Sequence, residues 1–259
     1  MKKVIADHEV TSVDFIGRDQ FIIRLQAPGG IPEILPGNFA EIRIYGSPDV
    51  FLRRPFSILD VDHETNTLSF YVKIIGKGTR SMGMLRKGNV MNLIYPLGNS
   101  FSLPVEGKEA LIVAGGTGIA PFILLGRLLK KQHIATTFLI GGRSAEDIAL
   151  TNEFSKYGEV LVTTEDGSLG ERGMVTGHSV FRQSRLPFGK IYTCGPDLMM
   201  KAVAKIAHTH SIPCEASLEN TMACGFGACL SCVTETVEGN KCVCTAGPVF
   251  NTNYLTWLT

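Results

Sequence analysis

The first hundred residues contain short stretches in which apolar and polar positions alternate, separated by turn-forming residues. Alternation with a period of two is typical of strands that bury one face, and β-branched and aromatic residues are common here. The pattern predicts strands at FIIRL (21–25), FAEIRI (39–44), PFSILDV (55–61), TLSFYVKI (67–74) and VMNLIYPL (90–97). One helical turn is expected around 79–85. Many strands at near-regular spacing favour an antiparallel β-barrel over residues 1–103.

The pattern changes after Pro104, where apolar runs alternate with segments of helical spacing. Strands are predicted at 110–116, 135–142, 159–166 and 190–196, and helices at 120–132, 145–157 and 197–210. Alternating strands and helices are typical of a doubly wound parallel sheet, which we predict for residues 104–213. The alternation ends near Cys214, so residues 214–259 are expected to form a small, cysteine-rich C-terminal domain. The expected fold class is therefore multidomain, β followed by α/β.

Composition and charge exclude several classes of protein. Hydrophobic residues make up 44% of the chain, enough for a packed core, and the net charge is +1, which does not suggest a nucleic-acid or anionic-membrane partner. The uncharged run from Ala110 to Gly126 approaches the length of a membrane span, but its four glycines and one proline favour a strand, a turn and a buried helix. The N-terminal residues lack the apolar region of a signal peptide. We expect a cytoplasmic protein.

Five of the seven cysteines lie between positions 224 and 244. Cys224, Cys229 and Cys232 have the spacing C-x4-C-x2-C, and Cys242 or Cys244 could supply a fourth thiolate. This spacing is typical of plant-type 2Fe-2S ferredoxins, and disulfides are rare in the cytoplasm. The glycines and other small residues between the cysteines leave room for bridging sulfides and let backbone N–H groups approach the sulfurs.

Structural zinc is the first alternative for these thiols, and buried cysteines without metal are the second. Zinc sites usually use two separate close pairs of cysteines. Here the two close pairs share Cys229, so the spacing favours an iron–sulfur cluster over zinc.

Two glycine-containing stretches suggest a nucleotide site. VAGGTGIAPF (113–122) joins a predicted strand to a predicted helix, where free N–H groups and the helix dipole could hold a pyrophosphate. Pro121 stands where the strict G-x-G-x-x-G motif has its third glycine, and the alternative is a simple tight connection. YTCGPDLMM (192–200) places Cys194 at the end of another strand, where ligands of such sheets bind. The alternative for Cys194 is a small buried hydrophobe.

The stretch LRRPFSI (52–58) combines an arginine that could clamp a phosphate with a serine that could bind a ring. YVKIIGKGTRSM (71–82) offers Gly78 and Thr79 at a helix start, as a second anion site. An edge-strand proline with a solvated arginine pair is the alternative to the first of these interpretations.

Taken together, RPFS, GGTGIAP and CGP resemble the flavin and pyridine-nucleotide motifs of the ferredoxin–NADP reductase superfamily. In that superfamily a flavin-binding barrel precedes a nicotinamide-binding α/β domain. The C-terminal LENTMACGFGACLSC, followed by CTAGPVF, is similar to the electron-transfer subunits of class 1B dihydroorotate dehydrogenases. The resemblance covers nearly the whole chain, with the motifs in the expected order.

The resemblance implies three sets of cofactor-binding residues. FAD is expected on Arg54, Pro55, Phe56, Ser57, Tyr71, Val72, Lys73, Gly78 and Thr79. NAD is expected on Gly115, Gly116, Thr117, Gly118, Cys194, Gly195 and Pro196, with Cys194 near the nicotinamide. A 2Fe-2S cluster is expected on Cys224, Cys229, Cys232 and Cys244, because the last ligand of these proteins stands two residues before GPVF. Phe56 replaces a tyrosine that many superfamily members have.

The resemblance also implies a function. A partner subunit would oxidise dihydroorotate on FMN, and electrons would pass through the cluster and FAD to NAD+, in pyrimidine biosynthesis. We therefore expect an oxidoreductase subunit without catalytic side chains of its own, in a heterotetramer of two plus two subunits. Arg143 could meet the 2′-phosphate of NADP, but the nearby Glu146 and Asp147 oppose it, and the resemblance indicates NAD.

Two other functions remain open on the sequence. The chain could be an electron-transfer subunit of another redox complex, of bifurcating or hydrogenase type, with the same cofactors. It could also be a zinc-stabilised binding module, which would be colourless.

Overall fold

The computed structural model describes residues 2–45, 49–105 and 108–258 and divides into two compact units. The first unit runs through Ser100 and adds Asn220–Thr234 and Lys241–Pro248. The second unit contains Phe101–Glu219, Glu235–Asn240 and the residues from Val249 onwards.

The first unit is built on one antiparallel sheet of seven strands. These are β1 (Val4–Phe15), β2 (Gln20–Gln26), β3 (Phe39–Ile42), β4 (Arg54–Ser57), β5 (Asp60–Asp62), β6 (Thr67–Lys73) and β7 (Val90–Leu97). Their order is β4-β3-β7-β1-β2-β6-β5, and the sheet curls into a half-barrel. Helix α1 (Lys77–Gly83) follows β6 and corresponds to the predicted helical turn. The predicted antiparallel barrel is confirmed.

Two details of the strand prediction differ from the structure. The predicted strand at 55–61 is two strands, β4 and β5, which lie at opposite edges of the sheet. Strand β1 was not predicted, because charged and polar residues interrupt its apolar positions. His8, in the middle of β1, is nevertheless buried, and its Nε2 lies 3.1 Å from the Tyr95 hydroxyl. The strand therefore buries a polar side chain that a hydrophobic pattern cannot detect.

The second unit contains a sheet of seven strands that is mainly parallel. These are β8 (Glu109–Gly115), β9 (Thr136–Gly142), β10 (Glu159–Thr164), β11 (Glu171–Arg172), β12 (Phe188–Cys194), β13 (Cys214–Ser217) and β16 (Val249–Asn251). Two further strands, β14 (Val233–Thr236) and β15 (Gly239–Cys242), lie between β13 and β16 in the sequence. The order is β11-β10-β9-β8-β12-β13-β16, with only β16 antiparallel to its neighbour. Strands β14 and β15 pair with each other in a separate two-stranded sheet.

Helices cover both faces of this parallel sheet. They are α2 (Phe122–Lys131), α3 (Thr151–Phe154) and α4 (Asp197–Thr209). Leu139 of β9 belongs to the same core cluster as Val203 of α4. Its neighbour Phe138 points to the opposite face, where its ring lies 4.9 Å from that of Phe154 in α3. The predicted doubly wound sheet is confirmed.

The helix predicted at 145–157 is wrong over most of its length. A 3-10 turn at Ala145–Asp147 and the single turn of α3 replace it. Leu150 separates them with a φ of 61°, a left-handed conformation that no helix continues through. The turn brings the Asp147 carboxylate to the backbone N–H of Arg143, at 3.2 Å.

The C-terminal residues contribute to both units. Strands β13 and β16 extend the parallel sheet, whereas Asn220–Thr234 and Lys241–Pro248, with the short helix α5 (Val243–Ala246), belong to the first unit. The division into domains at 1–103, 104–213 and 214–259 stays a prediction. None of the helices in the described part of the chain has the length and hydropathy needed to span a bilayer.

Candidate functional site

The two predicted nucleotide motifs lie side by side in the second unit. The sheet order reverses at β8, since β9 and β10 lie on one side of it and β12 and β13 on the other. Gly116–Ile119 forms a 3-10 turn directly after β8, and Cys194 ends β12, where it pairs with Ala114. Ligands of doubly wound sheets bind at this switch point, outside the carboxyl ends of the strands. The arrangement fits the predicted dinucleotide site.

The contact between the two motifs depends on Gly118. A Cβ atom on Gly118 would lie 2.3 Å from the carbonyl oxygen of Cys194 and 2.6 Å from the backbone nitrogen of Gly195. These are backbone atoms, so no rotamer change could relieve the overlap. Glycine therefore lets the two connections approach each other, which brings two sets of backbone groups to one place.

Cys194 is fully buried in this arrangement. Burial raises the pKa of its thiol well above the ordinary value, and Glu219 adds to this effect. The Cys194 Sγ lies 3.8 Å from Oε1 of Glu219. The thiol is neutral at physiological pH, so Cys194 offers no negative charge to a ligand bound beside it.

The RPFS motif forms strand β4 of the first unit, and its four residues are half-buried. The Arg54 Nη1 donates to the carbonyls of Leu52 and Arg53, at 3.1 and 3.2 Å. A guanidinium has five N–H donors, so donors remain for a phosphate. The neighbouring Arg53 is engaged with the protein, because it donates to the carbonyl of Asn92 at 2.9 Å. Arg54 is therefore better placed for a ligand than Arg53.

The other predicted flavin residues divide into buried and partly buried groups. The Tyr71 and Val72 side chains are buried in the core of the first unit, and the Tyr71 hydroxyl donates to Oε1 of Gln20 at 2.8 Å. These two residues could contact a flavin only through backbone atoms. The Lys73 Nζ lies 3.9 Å from the Asp19 Oδ2. Thr79, in the first turn of α1 beside Gly78, accepts a hydrogen bond from the backbone N–H of Ile75 at 3.0 Å.

The clustered cysteines form a loop and a facing segment within the first unit. Cys232 and Cys244 are buried, Cys224 and Cys242 are partly buried, and Cys229 is exposed. The backbone N–H of Val243 donates to the carbonyl of Cys232 at 2.9 Å, which ties the segment to the loop. The loop therefore places Cys224, Cys229 and Cys232 on one side of this contact, and Cys242 and Cys244 on the other.

Backbone N–H groups reach several of the sulfurs. The N–H of Cys244 lies 3.4 Å from the Cys232 Sγ, and Gly227 directs its N–H to the thiol of Cys244. The Ser231 hydroxyl and N–H, with a smaller contribution from Cys224, lower the pKa of Cys229 to about 6. Hydrogen bonds of this kind stabilise thiolates and tune iron–sulfur clusters. The chemistry of this loop fits a cluster.

The cysteine thiols are not grouped tightly enough to identify the four cluster ligands by geometry. Within the described ranges, no three His, Cys, Asp or Glu side chains are close enough to be recognised as a metal site. Cys242 and Cys244 both lie near Cys232. Burial makes the largest contribution to raising the pKa values of their thiols, and the pKa of Cys244 is raised to about 12. Cys244 as the fourth ligand, and the whole set of site residues, stay predictions.

A buried carboxylate lies beside the cysteine loop. Glu41, on β3, is completely buried, and neither of its carboxylate oxygens has a hydrogen-bond partner among the described residues. Burial raises its pKa to about 7, and Cys229 adds to the rise, while Arg53 and Arg54 oppose it. A Cβ atom on Gly225 would lie 2.5 Å from the Glu41 Cγ. The loop thus packs directly on this side chain.

Sequence reasoning missed Glu41. The alternation in FAEIRI suggested a strand with one solvated face, but all four residues of β3 are buried. A single carboxylate in an otherwise buried strand, thirteen positions before the RPFS arginine, was the available signal. It could not be interpreted without knowing that the cysteine loop covers it.

Comparison with known proteins decides the family. Residues 219–256 match the iron–sulfur cluster binding domain of dihydroorotate dehydrogenase B, and residues 112–205 match the oxidoreductase NAD-binding domain. A "Dihydroorotate dehydrogenase B (NAD(+)), electron transfer subunit" from Desulforamulus reducens is 33% identical over 99% of this chain and 100% of the relative. The chain belongs to this family of electron transfer subunits. A subunit of the same name from Caldanaerobacter subterraneus is 39% identical over 83% of this chain and 84% of the relative.

Solved structures support the same fold. One of them is an NADH-dependent reduced ferredoxin-NADP oxidoreductase, solved in a study of flavin-based electron bifurcation. It superposes with a TM-score of 0.86 at 28% identity, over 96% of this chain and 90% of that chain. A ferredoxin reductase of carbazole 1,9a-dioxygenase superposes with a TM-score of 0.71 at 20% identity, over 82% of this chain and 68% of that chain, which shows the fold alone.

Several predictions are therefore confirmed. The chain is an oxidoreductase electron transfer subunit of the dihydroorotate dehydrogenase B family. FAD, a 2Fe-2S cluster and NAD are its cofactors. The family favours this function over a zinc-stabilised module and over a subunit of another redox complex.

Proposed function

We propose that this chain carries electrons from dihydroorotate, oxidised on the FMN of a catalytic partner subunit, to NAD+. Cys224, Cys229, Cys232 and Cys244 would hold the 2Fe-2S cluster that receives electrons from the partner. FAD exchanges electrons singly or in pairs, and it therefore links a one-electron cluster to NAD+, which accepts a hydride.

The observation that carries this proposal is the grouping of the cysteine loop with the RPFS strand. Asn220–Thr234 and Lys241–Pro248 are more than a hundred residues beyond the barrel strands, yet they belong to the same compact unit. Gly225 packs on β3, and Glu41 of β3 pairs with Pro55 of the RPFS strand. Short separation between redox centres favours electron transfer, and one unit supplies residues for both the cluster and the flavin.

The side chains of the first unit would bind and orient the flavin. Arg54 retains donors for the pyrophosphate, and Ser57 would hydrogen-bond the ring. Phe56 lacks the hydroxyl of the usual tyrosine, so it would contribute only apolar contact. In the second unit, the turn at Gly116–Ile119 and the start of α4 would receive the dinucleotide. Asp147 lies 3.5 Å from the Arg143 Nε, which makes Arg143 a weaker site for a 2′-phosphate and favours NAD.

The cysteine loop would also meet the partner subunit. Phe226 and Leu230 are 52% and 64% exposed, although both are large and apolar. Exposed apolar side chains next to a redox loop suit a protein interface, where they lose contact with water. We infer a catalytic subunit as partner and a heterotetramer of two plus two, and we retain the cytoplasmic location expected from the sequence.

Spectroscopy and activity of the anaerobically purified chain test this proposal. The chain alone should contain FAD, iron and acid-labile sulfide, reduce dyes with NADH, and form no orotate. Orotate formation coupled to NAD+ reduction should appear only with the FMN subunit. Stoichiometric zinc without iron, or orotate formation by the isolated chain, would overturn the proposal. NAD+ reduction by another electron donor, but not by dihydroorotate with the FMN subunit, would instead indicate another redox complex.

A further inference from the structure

Glu41 has an environment that its role in the strand does not explain. It is fully buried, and both carboxylate oxygens lack a hydrogen-bond partner among the described residues. Buried polar groups in folded proteins are almost always hydrogen-bonded, because an unpartnered one costs free energy. A well-packed apolar residue would serve the core of the sheet better.

The neighbours of Glu41 connect two elements of the proposed electron path. Across β3 and β4 it pairs with Pro55, and across β3 and β7 with Ile94. Against its side chain lies Gly225, which directly follows Cys224 and has a φ of 76°. A Cβ atom there would be 2.5 Å from the Glu41 Cγ and 3.2 Å from Oε1. The carboxyl group therefore fills the space that Gly225 leaves.

We propose that Glu41 is a positioning residue for the iron–sulfur loop, which fixes the loop at Gly225 and lowers the reduction potential of the cluster. This inference rests on the proposed function. A negative charge in a poorly solvated place disfavours the addition of an electron nearby, because the effective dielectric constant there is low. Groups beyond the ligands, and the charge around a cluster, are known to tune its potential.

A purely structural role makes a different prediction. If Glu41 only filled space, a side chain of equal size without charge would leave the cluster unchanged. Glu41→Gln is such a change, because it keeps the shape and removes the charge. Glu41→Asp keeps the charge and shortens the side chain. The two variants therefore separate charge from volume.

The experiment measures the midpoint potential of the cluster by EPR-monitored redox titration of the anaerobically purified chain at pH 8.5. In Glu41→Gln the potential should become more positive by at least the equivalent of a tenfold change in the one-electron equilibrium constant, about 59 mV. Glu41→Asp should stay closer to the unsubstituted protein. Glu64→Gln, which removes an exposed charge from the same unit, should leave the potential unchanged and is the matched control.

Each outcome has a defined meaning. If the unsubstituted chain shows no 2Fe-2S signal, the proposed function fails, whatever the variants do. If it shows one and Glu41→Gln has the same potential and g values, only the role of Glu41 is refuted. Loss of iron in Glu41→Gln with FAD retained, and recovery in Glu41→Asp, supports the positioning role. Equal loss of iron in both variants would mean that keeping the charge in Glu41→Asp does not preserve the loop, which counts against the proposal.

Discussion

Gly118→Ala should separate the two connections that form the predicted dinucleotide site. The new Cβ would lie 2.3 Å from the Cys194 carbonyl oxygen and 2.4 Å from its carbon. Ordinary contacts between such atoms are about 3.5–4.0 Å. The turn after β8 or the one after β12 must therefore move by roughly 1 Å. Because both partners are backbone, no side chain can absorb the displacement.

The size of the effect follows from the cost of overpacking. Additional atoms in a well-packed region destabilise the folded protein by about 1–3 kcal/mol. Because the contacts here are with backbone atoms, we expect a loss of about 2–3 kcal/mol in the free energy of unfolding. For a chain of this size the melting temperature should fall by roughly 4–12 °C. If about half of this free energy is lost from NADH binding, the Kd for NADH should rise about tenfold, because 1.4 kcal/mol corresponds to a factor of ten in Kd.

Titration with NADH and thermal unfolding of the purified protein measure both effects. Gly177→Ala is the matched control, because no atom of the described residues other than its chain neighbours lies within 4 Å of its new Cβ, and its φ does not require glycine. An NADH affinity and melting temperature for Gly118→Ala equal to those of Gly177→Ala would refute the close approach on which the site is built.

Two further predictions concern the cysteines. Cys244→Ser should lose most of the iron and the visible cluster spectrum, whereas Cys242→Ser should keep both, because we assign Cys244 as the fourth ligand. The reverse pattern in iron analysis would make Cys242 the fourth ligand instead. Burial raises the pKa of Cys214 to about 12, so the thiolate is the major form only above that pH, and about one molecule in a thousand carries it at pH 9. Iodoacetamide at pH 9 should therefore spare Cys214 in the folded protein and modify it in urea, as peptide mass spectrometry can show; rapid labelling of the native protein would contradict this.

Much of the fold could be predicted from the sequence because local patterns carry it. Strand β7 has the predicted bounds, since it is a run of apolar and aromatic residues with a single polar position, Asn92. The segment 145–157 could not be predicted in this way. Its composition suits a helix, but the contact of Asp147 with the Arg143 backbone and the left-handed Leu150 require a turn. Local propensity yielded there to contacts that the sequence pattern does not contain.

The candidate site shows the same limit at longer range. The cysteine spacing predicts a redox loop because the ligands are close in sequence, but the residue on which the loop packs is 184 positions before Gly225, at Glu41. Gly225 meets two requirements at once, because its φ of 76° is left-handed and because the Glu41 side chain occupies the place of a Cβ atom. The first requirement can be guessed from a glycine between cysteines. The second depends on tertiary structure, and it links the properties of the loop to a strand that sequence analysis assigned only to the barrel.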